Sequence, residues 1–129
     1  MSKSKIEVLD SVFSEFIRLS GADYRGFNNC FTCGKTMHWK QLQCGHFVSR
    51  RHMSLRFDPK NCNPQCNDCN CTKSGNIEVY RKRLEIEFGL NHLWYLDNKK
   101  SNECHWSDFE IDIMISHYRT KVMELKKNC

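Results

Sequence analysis

Two stretches decide the fold of this chain: Cys30-Phe31-Thr32-Cys33 and Cys66-Asn67-Asp68-Cys69, which are separated by 32 residues. Each is a C-x-x-C pair, the spacing at which one tight turn presents two thiolates to the same metal ion. Four thiolates complete the tetrahedral shell of Zn²⁺ and leave no open position for a substrate. The sequence therefore predicts one structural zinc ion, bound by Cys30, Cys33, Cys66 and Cys69, that contributes folding free energy.

The cysteine content also indicates the compartment. The chain has 129 residues and nine cysteines, an odd number that argues against a fully paired disulfide framework. No apolar leader follows Met1, and no apolar run is long enough to span a bilayer. We therefore expect a single domain, residues 1–129, in a reducing cytoplasmic environment, with no membrane contact.

The net charge of +5 is concentrated in the centre of the chain. Between Lys35 and Arg83 there are ten basic residues against three acidic ones. Such a cluster is typical of proteins that bind the phosphates of DNA, although charge alone leaves a merely solvated basic face open. The candidate phosphate contacts are Arg50, Arg51, Lys73, Arg81, Lys82 and Arg83.

Hydrophobic periodicity predicts an α+β fold. Apolar residues recur at three- and four-residue steps over residues 5–19, 77–88 and 111–125, which predicts three helices. Gly89 is placed to end the second helix, and Ser107 with Glu110 has the spacing of a capping box for the third. Residues 39–44 and 55–57 are the predicted strands. This divides the domain into an N-terminal helix and loop (1–27), a zinc-stapled core (28–89) and a C-terminal helical extension (90–129).

Three residues around the second cysteine pair indicate a function. His46 lies between the pairs, Asn61 precedes Cys66 by five residues, and Asn70 directly follows Cys69. In this arrangement the chain resembles the HNH nuclease superfamily. The resemblance implies a small ββα-metal core, here stapled by the four-cysteine zinc site, that holds one catalytic divalent ion and hydrolyses phosphodiester bonds in DNA.

Longer stretches carry a second resemblance. Cys44-Gly45-His46-Phe47, Leu55-Arg56-Phe57, Asn61-Cys62 and Lys73-Ser74-Gly75-Asn76 are similar to segments of the lambdoid phage NinG (Rap) recombination proteins. This family implies a structure-selective endonuclease that cuts D-loops and Holliday junctions in the cytoplasm or nucleoid of the host cell. Symmetric cutting of a four-way junction would suit a homodimer.

The resemblance and the chemistry together give each site residue a role. His46 is the expected general base, and a carbonyl hydrogen bond to its second ring nitrogen would fix the tautomer. Asn61 is expected to hold the loop around His46, and Asn70 to offer its amide oxygen to Mg²⁺ or Mn²⁺. Many HNH proteins carry an Asp or His ligand where this chain has Gly45. His52 is our candidate for the missing ligand; Asp58 is another, and His46 itself could be the ligand with another group as the base.

A DNA-binding module without catalysis is the alternative hypothesis. In it, Cys30, Cys33, Cys44 and His46 bind one zinc ion, while Cys62, Cys66, Cys69 and Cys71 bind a second. His46 would then be unavailable as a base.

Overall fold

A computed structural model describes residues 3–129, and it has a mixed α+β fold with two small antiparallel sheets. Strand β1 pairs with β2, and β3 pairs with β4. Short 3-10 turns precede β3 and β4, and a turn of π-helix, Asp68–Thr72, follows β4. The elements are α1 Lys5–Leu19, β1 Phe27–Asn29, β2 Thr36–His38, β3 Gln43–His46, α2 Met53–Arg56, β4 Cys62–Gln65, α3 Ile77–Phe88, α4 Leu90–Lys99 and α5 Asp108–Lys126.

The three predicted helices are confirmed as α1, α3 and α5. Helix α1 begins after Ser4, whose side chain accepts a hydrogen bond from the Glu7 backbone. Helix α5 begins with the predicted capping box of Ser107 and Glu110, both halves of which form. The apolar faces of α1 and α5 pack together and bury Leu9, Phe13, Ile17, Ile111, Ile115 and Tyr118.

The first predicted strand, 39–44, overlaps β3 only at residues 43 and 44, and the second, 55–57, is wrong. Residues 39–41 form a 3-10 turn, and β3 begins only at Gln43. Leu55 lies in helix α2, where it is fully buried. The strand that pairs with β3 is β4, which starts only after Pro59 because Pro59 occupies the first turn of a 3-10 helix. The side chain of Asp58 caps this turn by accepting a hydrogen bond from the Lys60 backbone. Tertiary burial of Leu55 overrides its apolar, strand-like pattern.

A second core covers the other side of the β3–β4 hairpin. Helices α3 and α4 meet at Gly89, whose φ of 90° is accessible to glycine at little cost. They pack on the loop after β3 and bury Phe47, Val48, Leu55, Tyr80, Leu84, Leu93 and Leu96. Within residues 3–129, no helix is both long enough and apolar enough to cross a bilayer.

Candidate functional site

The two C-x-x-C pairs converge into one four-cysteine cluster. The Sγ atoms of Cys30, Cys33, Cys66 and Cys69 all lie within 4.8 Å of one another. Those of Cys33 and Cys66 are 3.8 Å apart. Two Zn–S bonds of about 2.3 Å at a tetrahedral angle place their sulfurs about 3.8 Å apart, so the cluster fits the predicted ion. This cluster could hold a structural metal ion such as zinc.

Polar groups around the cluster favour a thiolate at Cys30. The Cys69 backbone donates to the sulfur of Cys66 at 3.4 Å, and the Asn76 side chain donates to the sulfur of Cys69 at 3.7 Å. Burial raises the pKa of Cys30, but hydrogen bonds with the Thr32 hydroxyl and backbone N–H groups outweigh burial and lower that pKa to about 6. At Cys66, burial raises the pKa of the thiol despite the Cys69 backbone hydrogen bond, and at Cys33 the Lys35 backbone lowers the pKa but burial and the neighbouring thiols outweigh it and raise it. Thiolates are the form that binds a metal ion.

The ligand grouping of the alternative double-zinc hypothesis is wrong. It assigns the two C-x-x-C pairs to different ions, whereas the structure brings both pairs to one cluster. Cys71 is exposed, and its thiol contacts the Gln43 side chain at 3.2 Å instead of joining the cluster.

A cavity of about 580 Å³ lies between α1, β3 and the turn that follows the second cysteine pair. His46 and Asn70 both line it, although they are 24 residues apart in sequence. Asp10 and Arg18 line the same cavity from helix α1, and Arg50 lines it from the loop after β3. With Gln43 and Cys44, the cavity therefore combines an imidazole, two side-chain amides, a carboxylate, a thiol and two guanidinium groups.

His46 makes the backbone contact that was expected of it. Its Nε2 lies 2.9 Å from the Arg56 carbonyl, which is the expected orienting contact. Burial lowers the pKa of His46, with the Arg50 charge acting in the same direction; the Arg56 carbonyl, the Asp10 charge and the Cys44 backbone partly oppose the shift. The net direction favours the neutral imidazole.

Gly45 has a steric explanation. A Cβ at this position would lie 2.0 Å from Oε1 of Gln65, which is fully buried. Gln65 is held by hydrogen bonds from its Nε2 to Thr32 Oγ1 at 3.2 Å and to the Gly75 carbonyl at 2.9 Å. The side chain of Gln65 therefore occupies the space that an Asp ligand at residue 45 would need.

Asn61 holds the loop that follows His46. It is fully buried, its Oδ1 accepts from the Val48 backbone at 2.8 Å, and its Nδ2 donates to the Val48 carbonyl at 2.9 Å. A longer contact of 3.3 Å joins Nδ2 to the Leu55 carbonyl. This is the geometry of a positioning residue, and Asn61 does not line the cavity.

The candidate metal ligands differ in position. Asn70 donates from Nδ2 to Gln43 at 2.8 Å, which orients its Oδ1 as the atom able to ligate a metal. His52 does not line the cavity, and its Nδ1 contacts the Lys100 carbonyl at 3.2 Å. Asp58, the other candidate, also lies outside the cavity and pairs with Lys99 at 3.1 Å.

Asp10 is a cavity carboxylate that sequence reasoning missed. Its oxygens accept hydrogen bonds from Arg56 at 3.0 Å and 2.5 Å, and Arg50 lies 3.9 Å away. It precedes His46 by 36 residues and belongs to no recognisable motif. The sequence signal that could have indicated Asp10 is its place directly after Leu9, on the edge of the apolar face of helix α1.

The basic candidates fall into separate groups. Arg50 lines the cavity, and the next residue, Arg51, is exposed to solvent. Lys73 pairs with Asp68 at 3.4 Å. Arg81, Lys82 and Arg83 are consecutive on α3, so their side chains point about 100° apart. Arg81 pairs with Asp97 at 2.9 Å and Arg83 with Glu87 at 2.8 Å. These three residues therefore do not form one basic face.

Comparisons with known proteins identify the family. A family model described as Bacteriophage Lambda NinG protein matches residues 2–128. Protein ninG of Escherichia phage 933W is 30% identical over 100 residues, which are 77% of this chain and 49% of that protein. The ninG proteins of Salmonella phage P22 and Escherichia phage lambda are 30% identical over 98 residues and 29% over 100, covering 75% and 77% of this chain and 47% and 48% of theirs. No solved structure matches the chain significantly.

The chain thus spans about half the length of the curated relatives it matches, and the family model covers nearly all of it. The chain belongs to the NinG family of lambdoid phage proteins.

Proposed function

We propose that this chain is a metal-dependent DNA endonuclease of the HNH type that cuts branched recombination intermediates such as D-loops and Holliday junctions. The observation that carries the proposal is the convergence of His46 and Asn70 on one cavity lined also by Arg50. The β3–β4 hairpin followed by the helical turn of Asn70 supports a ββα-metal core. The preference for branched DNA rests on the resemblance to the phage recombination proteins.

His46 serves as the general base. With Nε2–H donating to the Arg56 carbonyl, Nδ1 keeps the free lone pair and can accept a proton from the attacking water. Burial in the wall of the cavity favours the neutral ring that this step needs. Asn61 acts indirectly, because it holds the chain just after His46 through the Val48 backbone.

Asn70 and Asp10 are the ligands for a catalytic Mg²⁺ or Mn²⁺. An amide oxygen and a carboxylate are the hard donors that these ions prefer, and water fills the remaining positions. Each Asp10 oxygen keeps a lone pair beyond its hydrogen bond to Arg56. When bound, the ion stabilises negative charge on the phosphorane and on the departing oxygen.

Arg50 and Arg18 give the cavity the positive charge that a phosphodiester requires. Both line its wall, where they are placed to neutralise the phosphate beside His46. The exposed Arg51 and Lys82 would contact the DNA backbone farther away. A homodimer acting in the host cytoplasm or nucleoid would present two such cavities to a symmetric junction.

The test is cleavage of labelled junction and duplex DNA by purified protein, with and without Mg²⁺ or Mn²⁺. His46→Ala should lower the cleavage rate at least about 100-fold, because it removes the base. Far-UV circular dichroism and junction affinity should stay at wild-type values, and so should the zinc bound by the four-cysteine cluster. His105→Ala removes an exposed histidine away from the cavity and is the matched control.

Two results would count against the proposal. Normal cutting by His46→Ala would show that another group activates the water. Tight junction binding without nicking under any metal ion would favour the alternative, a DNA-binding module without hydrolysis.

A further inference from the structure

A second group of metal-ligating side chains lies on the β3–β4 hairpin, separate from the four-cysteine cluster. His46 on β3 is paired directly with Cys62 on β4, and Cys44 is two residues before His46 on the same face. The Sγ atoms of Cys44 and Cys62 and one ring nitrogen of His46 all lie within 4.8 Å of one another. Strand pairing, and not sequence proximity, brings Cys62 to this group.

The surroundings leave one side of this group open. Cys62 is 2% exposed and closes the group from the core of α1 and α5. Cys44 and His46 are half-buried and line the cavity of about 580 Å³. Three protein ligands with the next position open to a cavity match the arrangement of zinc sites that keep a water or substrate position.

The chemistry of the donors selects the kind of ion. Thiolate and imidazole bind zinc and similar soft or borderline ions, whereas Mg²⁺ and Mn²⁺ prefer oxygen ligands. The Arg56 carbonyl contacts Nε2 of His46, and a carbonyl on the second ring nitrogen is the usual support of a metal-bound histidine. Nδ1 is therefore the nitrogen available to an ion.

We infer that Cys44, His46 and Cys62 form a second zinc site. Zinc bound there inhibits cleavage, because it takes up the His46 ring nitrogen that would accept a proton from water. Binding replaces the two thiol protons, which pass to solvent, and uses the lone pair of Nδ1. That lone pair cannot ligate zinc and accept a proton from water at the same time. The inhibitory consequence rests on the proposed function, whereas the zinc site itself does not.

Zinc stoichiometry tests the site without any cleavage assay. The reduced full-length protein is dialysed against buffered free Zn²⁺ and then measured for zinc per chain. Wild-type protein should bind two ions, one per cysteine group, and Cys44→Ala should bind one. Cys104→Ala is the matched control, because Cys104 is also half-buried but belongs to neither group.

Cobalt supplies a second readout that reports the ligands themselves. Co²⁺ added to protein that already carries one zinc ion should give thiolate-to-cobalt charge-transfer absorption, which Cys44→Ala and Cys62→Val should each reduce. The use of two variants protects the test from misfolding, because Cys44 is half-buried whereas Cys62 lies in the core. One zinc per wild-type chain, or a Cys44–Cys62 disulfide found by mass spectrometry under the same reducing conditions, would overturn the inference.

Cleavage in Mg²⁺ with increasing free Zn²⁺ tests the consequence. Zinc should inhibit the wild-type protein. Cys44→Ala should raise the half-inhibitory zinc concentration about 100-fold, because mutating even the groups that support a metal ligand lowers metal affinity by up to about 100-fold. Two ions per chain with no cleavage in any metal would leave the zinc site standing and refute the nuclease proposal. Cleavage by a protein that binds only one zinc ion per chain would support the nuclease proposal and refute the second zinc site.

Discussion

Replacing Gly45 with alanine tests whether the buried Gln65 side chain shapes the site. The new Cβ would lie 2.0 Å from Gln65 Oε1 and 2.5 Å from its Cδ, so Gln65 must move. Overpacking a buried site costs about 1–3 kcal/mol. Displacing Gln65 also breaks hydrogen bonds to Thr32 and Gly75, each contributing about 1 kcal/mol. We expect Gly45→Ala to lower the free energy of unfolding by about 3–5 kcal/mol.

The assay is urea unfolding followed by far-UV circular dichroism at constant free zinc, since bound metal shifts apparent stability. A double-mutant cycle isolates the contact. In a Gln65→Ala background, where the obstructing atoms are gone, Gly45→Ala should cost less than about 1 kcal/mol. Gly89→Ala is the control for backbone strain alone: φ is 90° there, nothing lies within 4 Å of the new Cβ, and the expected cost is about 1–2 kcal/mol.

Either of two outcomes would refute this reasoning. A cost under about 1 kcal/mol for Gly45→Ala in the wild-type background would mean that Gln65 yields freely. An equally large cost in both backgrounds would mean that the strain has another source. The same geometry predicts that Gly45→Asp does not supply a metal ligand unless Gln65 is shortened as well.

Three further perturbations test other parts of the fold. Burial raises the pKa of Asp58, but hydrogen bonds from Tyr95, the Lys60 backbone and Lys99 outweigh it, so the net pKa is lowered. A lowered pKa stabilises the fold above the unfolded-state pKa, and this stability is lost as pH falls through the folded-state pKa, so Asp58→Asn should flatten the acid limb of the stability curve. Asn61→Ala leaves buried backbone groups unpaired and should cost about 2–4 kcal/mol in urea unfolding. Cys69→Ser should lower zinc retention against a chelator and lower Tm.

Matched substitutions at exposed positions provide the controls: Asp112→Asn, Asn91→Ala and Cys129→Ser. An acid limb in Asp58→Asn as steep as in the wild-type protein would contradict the first expectation. A loss below about 1 kcal/mol for Asn61→Ala would show that the loop does not depend on this side chain. Undiminished zinc retention in Cys69→Ser would exclude Cys69 as a ligand.

Helix α1, helix α5 and the four-cysteine cluster could be read from the sequence because their signals are local. Apolar spacing over residues 5–19 defines one helix face, and Ser107 with Glu110 defines a helix start within four residues. Each C-x-x-C turn presents two sulfurs by itself, so only the meeting of the two turns depends on the rest of the fold. The strands had no comparable signal, because β3 and β4 are four residues each and owe their pairing to their neighbours.

What the sequence alone determined is therefore helices α1, α3 and α5, the four cysteines that could hold a metal ion, and the candidates His46 and Asn70 beside them. What only the tertiary structure decided is which distant groups share a cavity with His46. Packing of α1 against the β3–β4 hairpin positions Asp10 there, and the register of β3 with β4 brings Cys62 opposite His46. The physical reason is that periodicity and capping act between residues a few positions apart, whereas these contacts depend on burial between elements distant in sequence.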